Sequence, residues 1–443
     1  MRSILVLGAG RSSSALIDYL LLQAKAHDWQ VTVGDISEAA ARDRVGDTSA
    51  GSAIVFDIQD GSSDAVIRKH DVVISVLPPT LHAVVARKCL DHNKHLLTAS
   101  YVSPEMKQLD KEAKEKGLLF LNECGLDPGI DHMSAMQVID KIKEAGGELY
   151  SFESFTGGLI ATETDPGNPW RYKFTWNPRN VVMAGQSTAK FLQEGQYKYI
   201  PYQQLFRRTT PVEVPGYGAY EGYANRDSLT YRATYGLENI QTMLRGTLRN
   251  EGFCAAWDVL VQLGCTDDSY RMEHVDAMTH RTFMNSFLDH HPKYTVEEKI
   301  TGRFGLSASG PEMTRLVWSG LLEETPVGLK SGSPAEVLEH ILNKRWKLNS
   351  EDRDMVVMWH RFRYRKNSSD HEIQATLVAV GEDSTRTAMA KTVGLPLGIA
   401  ARLVMEGKIG ARGVVIPVTR EFYDPILAEL KILGIALKER AVK

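Results

Sequence analysis

Cysteine is scarce. The 443 residues hold four, Cys89, Cys124, Cys254 and Cys265, with no CxxC pair among them. That argues against a disulfide framework or a zinc site, no metal is expected, and a reducing cytoplasm fits best. A surplus of positive charge is also missing. Lysine and arginine number 52 against 55 aspartates and glutamates, a formal net charge of −3, so neither nucleic acid nor an anionic membrane is an expected partner. No apolar run approaches the ~18 residues of a membrane span. The stretch Ile4–Leu7 is too short for a signal peptide and reads as a strand. Internal repeats, low-complexity tracts and linkers are lacking as well. What remains is an ordinary globular composition, 43% hydrophobic and 24% charged, in a length that suggests two to three domains at roughly 100–200 residues each.

The first 125 residues alternate between two periodicities. Apolar runs predict strands at Ile4–Leu7, Gln30–Gly34, Ala53–Asp57, Asp71–Leu77, His95–Ala99 and Leu118–Leu121. Helical patterns fall between them at Ser14–Lys25, Leu81–Asp91 and Pro104–Lys116. Such alternation implies right-handed crossovers and an α/β, doubly wound parallel sheet. The pattern then changes. A helix is expected at Ile130–Lys143 and a strand at Glu148–Thr156, followed by a segment rich in Gly, Pro, Tyr and Trp to about residue 235. Residues 249–347 look mostly helical. Met355–Arg363 and Glu372–Gly381 form a strand pair across the polar turn Lys366–Asp370, and helices Thr385–Thr392, Ile399–Glu406 and Pro425–Leu433 follow.

Gly8-Ala9-Gly10-Arg11-Ser12-Ser13 lies between the first strand and the first helix and matches GxGxxG with Ser13 in place of the third glycine. Gly8 permits the tight turn, Gly10 lets backbone approach a pyrophosphate, and the helix N-terminus faces the anion. The alternative is a purely structural glycine turn. Asp35 ends the second strand, where a carboxylate accepts hydrogen bonds from ribose hydroxyls and repels a 2′-phosphate. It points to NAD, with NADP second, unless Arg42 or Arg44 rescues a phosphate. Its bland alternative is a cap for the helical segment Ser37–Arg44. Asp57 and Ser75–Leu77 also stand at carboxyl ends of strands, where open α/β sheets bind ligands, or serve as turn residues there.

Ser100-Tyr101 follows the fifth strand, and Glu123–His132 follows the sixth. Both loops leave the edge of the sheet that carries the glycine loop, so their polar groups are expected near a nicotinamide. Tyr223–Ser228 and Leu244–Arg249 place arginines in segments of low regularity. Arginine's planar fork suits carboxylates, although a surface role is the plain alternative.

Taken together, Gly8–Ser13, Ala99-Ser100-Tyr101-Val102-Ser103-Pro104, Gly125-Leu126-Asp127-Pro128-Gly129-Ile130-Asp131-His132-Met133, Asn225-Arg226-Asp227-Ser228 and Arg245-Gly246-Thr247-Leu248-Arg249 resemble saccharopine dehydrogenases of the L-glutamate-forming type, the saccharopine reductases. The resemblance runs nearly end to end, through Met389–Pro396 and Gly413–Pro417. It implies a Rossmann-type domain at 1–125, rejoined by 385–443. It also implies a mixed α/β substrate-binding and dimerisation domain at 126–250 and 348–384, with a helical segment at 251–347. The implied reaction is the reversible oxidation of saccharopine to L-glutamate and 2-aminoadipate 6-semialdehyde in lysine metabolism, with NAD or NADP, by a homodimer. Substrate contacts carry over to Ser100, Tyr101, Asp127, Arg226, Thr247, Leu248 and Arg249. Cofactor contacts carry over to Asp57, Ile58, Leu77, Ala99, Ser100, Leu126, Asp127 and Pro128, beside Gly8, Gly10, Arg11, Ser12, Ser13 and Asp35 of the nucleotide end. In this reading Arg226 and Arg249 clamp carboxylates, Asp127 faces the substrate ammonium, and Tyr101 and Asp127 are the candidates for proton transfer.

Two departures matter. The family often has Cys-Gly-Gly where this chain has Thr156-Gly157-Gly158, so no thiol chemistry carries over. Fungal relatives that use NADP commonly lack an acid at the end of strand two, so Asp35 again points to NAD, as in the animal enzymes. Two rivals remain. A reductase of the carboxynorspermidine type needs an anionic pocket for a polyamine, which paired arginines oppose. A non-catalytic dinucleotide sensor has no use for the substrate arginines.

Overall fold

The computed structural model describes residues 2–184 and 186–442; Met1 and Lys443, the outer ends of the expected dinucleotide domain, lie outside the described residues. The chain divides into two compact units, one of residues 1–148, 366–369 and 377–439, the other of 149–365, 370–376 and 440–443. The first therefore extends past residue 125 to take in the helix Ile130–Glu144, which packs on the helix Arg420–Ile432.

The first unit holds a parallel sheet of seven strands. Their order is Gly413–Val415, Leu119–Leu121, His95–Thr98, Val72–Ser75, Ser3–Leu7, Gln30–Asp35 and Gly51–Val55. Ile4 to Leu7 are wholly buried, as a strand covered on both faces requires. The strand order reverses beside Ser3–Leu7, so the ligand crevice of such a sheet opens at the carboxyl ends of Ser3–Leu7 and Val72–Ser75. The third strand ends at Val55, earlier than expected, and Asp57 stands beyond it in a turn.

The C-terminal helices differ from expectation. Thr385–Thr392 and Ile399–Glu406 are parts of one helix, Ala388–Met405, with Pro396 inside it; Pro425 likewise lies within Arg420–Ile432. An internal proline costs a helix about 3 kcal/mol, and burial offsets it here. Gly394 and Gly398 let the backbone of Ala388–Met405 approach the helix Ser14–His27 closely: a Cβ at Gly394 would stand 2.8 Å from the Leu16 nitrogen, and one at Gly398 2.7 Å from the Tyr19 ring. By length and a mean hydropathy of 1.3, Ala388–Met405 is also long and apolar enough to cross a membrane, contrary to expectation. Its stretch is 72% buried within the protein, as a core helix would be.

The second unit is built on a mixed sheet of nine strands. The central ones are Gly218–Ala224, Thr242–Asn250, Glu148–Ile160 and Asp354–Lys366. Leu244–Arg249, expected to be irregular, is thus part of a regular strand paired antiparallel with Gly218–Ala224 and parallel with Glu148–Ile160. The expected strand pair is longer than its alternation suggested, Asp354–Lys366 and Ser369–Val380. It turns through Asn367 and Ser368, both at positive φ, which is the backbone of a tight hairpin turn. Between residues 251 and 347 lie the helices Phe253–Leu263, His280–Asn285, Val296–Phe304, Pro311–Trp318 and Pro334–Trp346. Trp170, Tyr172, Phe174, Phe253, Trp257 and Trp346 stack edge and face into one aromatic cluster.

Candidate active site

In the first unit the glycine loop is set by backbone demands. Gly8 takes φ +106°, where a Cβ would crowd the Val76 carbonyl at 3.1 Å. Its N–H donates to the Gly34 carbonyl at 2.8 Å. A Cβ on the exposed Gly10 would meet nothing within 4 Å, so the protein's own packing does not demand glycine there, and the bare backbone leaves room for a ligand to come close. Ser13 is buried and its hydroxyl donates to the Gly10 carbonyl at 2.8 Å, which closes the turn before the helix. Arg11 is exposed and Ser12 half-buried. The loop fits a dinucleotide pyrophosphate.

The Asp35 carboxylate is bound at both oxygens by backbone N–H groups. Its Oδ2 accepts from the Ala9 N–H at 2.8 Å and its Oδ1 from the Ser37 N–H at 2.9 Å. It braces the glycine loop, and Ser37 rather than Asp35 caps the helix Glu38–Val45. Asp57 is exposed and accepts from the Gln59 N–H at 2.9 Å. The Ile58 side chain is buried in the core of this unit, and Leu77 packs half-buried against the same core.

The loops after the fifth and sixth strands are tied to each other. The Glu123 N–H donates to the Ser100 carbonyl at 3.0 Å, and the Cys124 N–H to the Thr98 carbonyl at 3.2 Å. Glu123, buried, accepts from the Val102 N–H at 3.1 Å and pairs with His132 Nε2 at 2.8 Å. Asp131 accepts from the Gly129 N–H at 2.6 Å and stands 3.7 Å from His132 Nδ1. This buried acid–imidazole–acid group fixes the path that carries Tyr101 and Asp127. A Cβ on Gly125 would stand 2.8 Å from Cβ of Ala99, and Gly129 adopts φ +147° directly against Gly125. Both glycines are therefore obligatory, and Leu126 and Pro128 are buried between them. Tyr101 and Asp127 stay half-buried, with the Tyr101 hydroxyl donating to Asp127 Oδ1 at 3.3 Å. The N-cap of Ile130–Glu144 is Gly129, so Asp127 does not cap that helix.

In the second unit Thr247 and Arg249 share one face of their strand, since alternate residues do. Leu248 points to the opposite face, and its side chain is wholly buried. Tyr223 and Thr156 pair with Thr247 from the flanking strands and so share its face. Arg249 is 3% exposed. Its guanidinium lies 5.0 Å from the Tyr172 ring centre and 5.2 Å from that of Phe253, with NH1 donating to the Leu248 carbonyl at 2.9 Å. Among the described residues its Nε has no partner, and neither has the buried Thr156 hydroxyl. Among the described residues no carboxylate pairs with Arg249. Arg226 lies in an exposed loop at φ +45°, held where its carbonyl accepts from the Lys190 N–H at 2.7 Å. The Ser228 hydroxyl accepts from the Arg245 N–H at 2.9 Å. Arg245, buried, lies 4.2 Å above the Tyr231 ring.

Sequence reasoning placed the loop Glu123–His132 near a nicotinamide but gave Glu123, Asp131 and His132 no role of their own, although titratable groups are dense around Gly125–Gly129. It also passed over His82, which carries no local signal.

Comparison with known proteins agrees with this geometry. Residues 4–121 match the saccharopine dehydrogenase NADP binding domain, and residues 125–435 match the saccharopine dehydrogenase C-terminal domain. The Saccharomyces cerevisiae saccharopine dehydrogenase [NADP(+), L-glutamate-forming] is 33% identical over 452 residues, covering 100% of this chain and 99% of that protein. The mouse mitochondrial alpha-aminoadipic semialdehyde synthase is 32% identical over 99% of this chain, which spans only 48% of that longer protein. The apo structure of the yeast L-Glu-forming enzyme superposes with a TM-score of 0.89 at 31% identity, covering both chains fully. A homospermidine synthase from Legionella pneumophila in complex with NAD, at TM-score 0.57 and 10% identity, is alike in fold alone.

These findings overturn the expected preference for NAD. The nucleotide end matches an NADP binding domain, and the fungal relatives that span the chain are named for NADP(+). The physical reason lies at Asp35, whose two oxygens are both engaged by backbone N–H groups of Ala9 and Ser37. An acid that holds the glycine loop in place has a structural use whichever coenzyme binds, so its presence at the end of strand two does not by itself select NAD.

Proposed function

The chain belongs to the saccharopine dehydrogenase family, and from that premise we propose that it oxidises saccharopine with water and NADP to L-glutamate, 2-aminoadipate 6-semialdehyde and NADPH, reversibly. NADP, when bound, accepts a hydride; the glycine loop Gly8–Ser13, with Ala99, Leu77, Leu126 and Pro128, would hold it. The carbon bonded to the bridging nitrogen loses the hydride, water adds to the resulting imine, and the carbon–nitrogen bond breaks to release glutamate.

The observation that carries this reading is Arg249. A guanidinium buried without a carboxylate costs several kcal/mol unless an anion completes it. Among the described residues the Arg249 Nε and the Thr156 hydroxyl have no partner, and Thr247 lies on the same sheet face. Saccharopine brings three carboxylates, and a bidentate guanidinium–carboxylate pair is what such a site accepts. Arg226 would take a second carboxylate from its exposed loop. Ser100 offers a hydroxyl to the substrate, and Asp127 receives its ammonium. Tyr101, hydrogen-bonded to Asp127, stands ready to move a proton at its hydroxyl. A polyamine substrate would meet repulsion from these arginines, which sets the carboxynorspermidine-type reading aside.

In this proposal the first unit, residues 1–148, 366–369 and 377–439, is the cofactor domain, and the second, residues 149–365, 370–376 and 440–443, the substrate domain. The protein is a cytoplasmic homodimer. The family resemblance and the long strand pair Asp354–Lys366 and Ser369–Val380 support the dimer, and the four free, buried cysteines fit a reducing compartment. Light scattering tests the dimer and cell fractionation the compartment. The reaction is tested by mass spectrometry of the products: glutamate and the semialdehyde in equal amounts are expected, and their absence rejects it.

A further inference from the structure

Ser75 ends the fourth strand, His82 begins the helix His82–Asp91, and Ser100 follows the fifth strand. The imidazole joins the two strand ends. Ser75 Oγ lies 2.9 Å from His82 Nδ1, and His82 Nε2 lies 2.7 Å from Ser100 Oγ. Ser75 is wholly buried and His82 nearly so, while Ser100 is half-exposed at the loop that carries Tyr101.

The chain of three groups has a direction. The Ser75 hydroxyl has one hydrogen, and among the described residues His82 is its hydrogen-bond partner. A buried donor left without an acceptor is costly, so that hydrogen points at Nδ1. A neutral imidazole that accepts at Nδ1 carries its own hydrogen on Nε2. Nε2–H then donates to the Ser100 oxygen, with the Thr98 hydroxyl a more distant acceptor at 3.4 Å. Ser100 has thereby accepted a bond from the protein, and its own hydrogen is directed to a ligand. Burial pushes the His82 pKa down to about 4, so the imidazole stays neutral and the direction persists at working pH.

We propose that His82 is a positioning residue that fixes Ser100 as a hydrogen-bond donor to a carboxylate or carbonyl oxygen of the bound ligand, with Ser75 setting the imidazole tautomer. The proposal rests on Ser100 facing ligand in the reaction proposed above.

Two measurements test it. In the holoenzyme with selectively labelled histidine, nitrogen NMR should report His82 as the Nε2–H tautomer, and as a mixture or the opposite form in Ser75→Ala. An Nδ1–H tautomer in the unaltered protein overturns the proposal, and this readout needs no turnover. The second measurement is a double-mutant cycle. His82→Leu and Ser100→Ala should each lower kcat/KM for saccharopine by about three- to tenfold, the worth of one hydrogen bond. The double variant should be no worse than the poorer single one. His82→Gln, whose amide nitrogen supplies a donor, should recover most of the loss, and it also serves if His82→Leu does not fold. Losses that multiply, or no recovery with Gln, overturn the proposal. An unaltered protein that ignores saccharopine would refute the reaction instead; the cycle is then read in NADPH affinity, where the same coupling is expected and additive losses again overturn the assignment of His82.

Discussion

Asp35 Oδ2 accepts a hydrogen bond from the backbone N–H of Ala9 at 2.8 Å, which ties the end of the second strand to the glycine loop and gives the acid there a structural use independent of the coenzyme. Asp35→Ala should weaken NADP and NAD binding alike. Loss of a charge-assisted hydrogen bond costs about 1.5–3 kcal/mol, some tenfold or more in affinity. Fluorescence titration of both reduced coenzymes checks it. A large rise in NADP preference in the variant would return Asp35 to the role of a coenzyme discriminator.

That contact also marks the limit of what sequence could tell. The strand–glycine–helix order is local, so the parallel sheet and the position of the loop were legible from hydrophobic runs alone. The direction in which the Asp35 carboxylate turns is not local, because Ala9 lies 26 residues earlier. The same holds for Leu244–Arg249. Two arginines, a glycine and a threonine read as an irregular segment, and only the pairing of Gly246 with Ala224 and Phe155 makes them a strand. Pro396 and Pro425 were read as helix boundaries, since propensity was visible and the packing that overrides it was not. His82 was silent because its two partners come from different strand ends.

Arg249→Met should leave the fold intact or slightly stabilised, because it replaces an unpaired buried charge with an apolar chain. It should raise the KM for saccharopine by a factor on the order of 30 or more, the lower end of a truncated buried charge pair at about 2 kcal/mol. Thermal unfolding and steady-state kinetics measured on the same preparation check it. A collapse of Tm together with an unchanged KM would make Arg249 a structural cation.

Asp127→Asn should fold normally, since Gly129 and not Asp127 caps the following helix. It should reduce kcat/KM for saccharopine clearly, because Asn does not offset an ammonium. Tyr101→Phe should cause a moderate loss, with its 3.3 Å bond to Asp127 removed. Kinetics across pH distinguish the two roles. A thousandfold fall in kcat for Tyr101→Phe at intact saccharopine affinity would make that hydroxyl the essential acid–base group, within the ~10²–10⁴-fold worth of such groups.

Folding stability should fall as the medium is acidified from the unfolded His82 value of 6.5 towards its folded value of about 4. In that window the unfolded chain binds the proton and the buried imidazole does not, so the stabilisation is present above the window and lost through it. The full loss is up to about 3 kcal/mol for this group. Burial lowers His70, His95 and His280 in the same sense, so the total slope is shared. Urea unfolding of His82→Gln should show a shallower dependence than the unaltered protein, and an identical slope would contradict the buried neutral imidazole.

The most direct test of the account is the rate of coenzyme reduction by the purified protein with saccharopine at alkaline pH, measured with NADP and with NAD. Saccharopine-dependent formation of NADPH is expected, with a kcat/KM above that for NAD. No reduction with either coenzyme, or a kcat/KM with NAD equal to or above that with NADP, would contradict it.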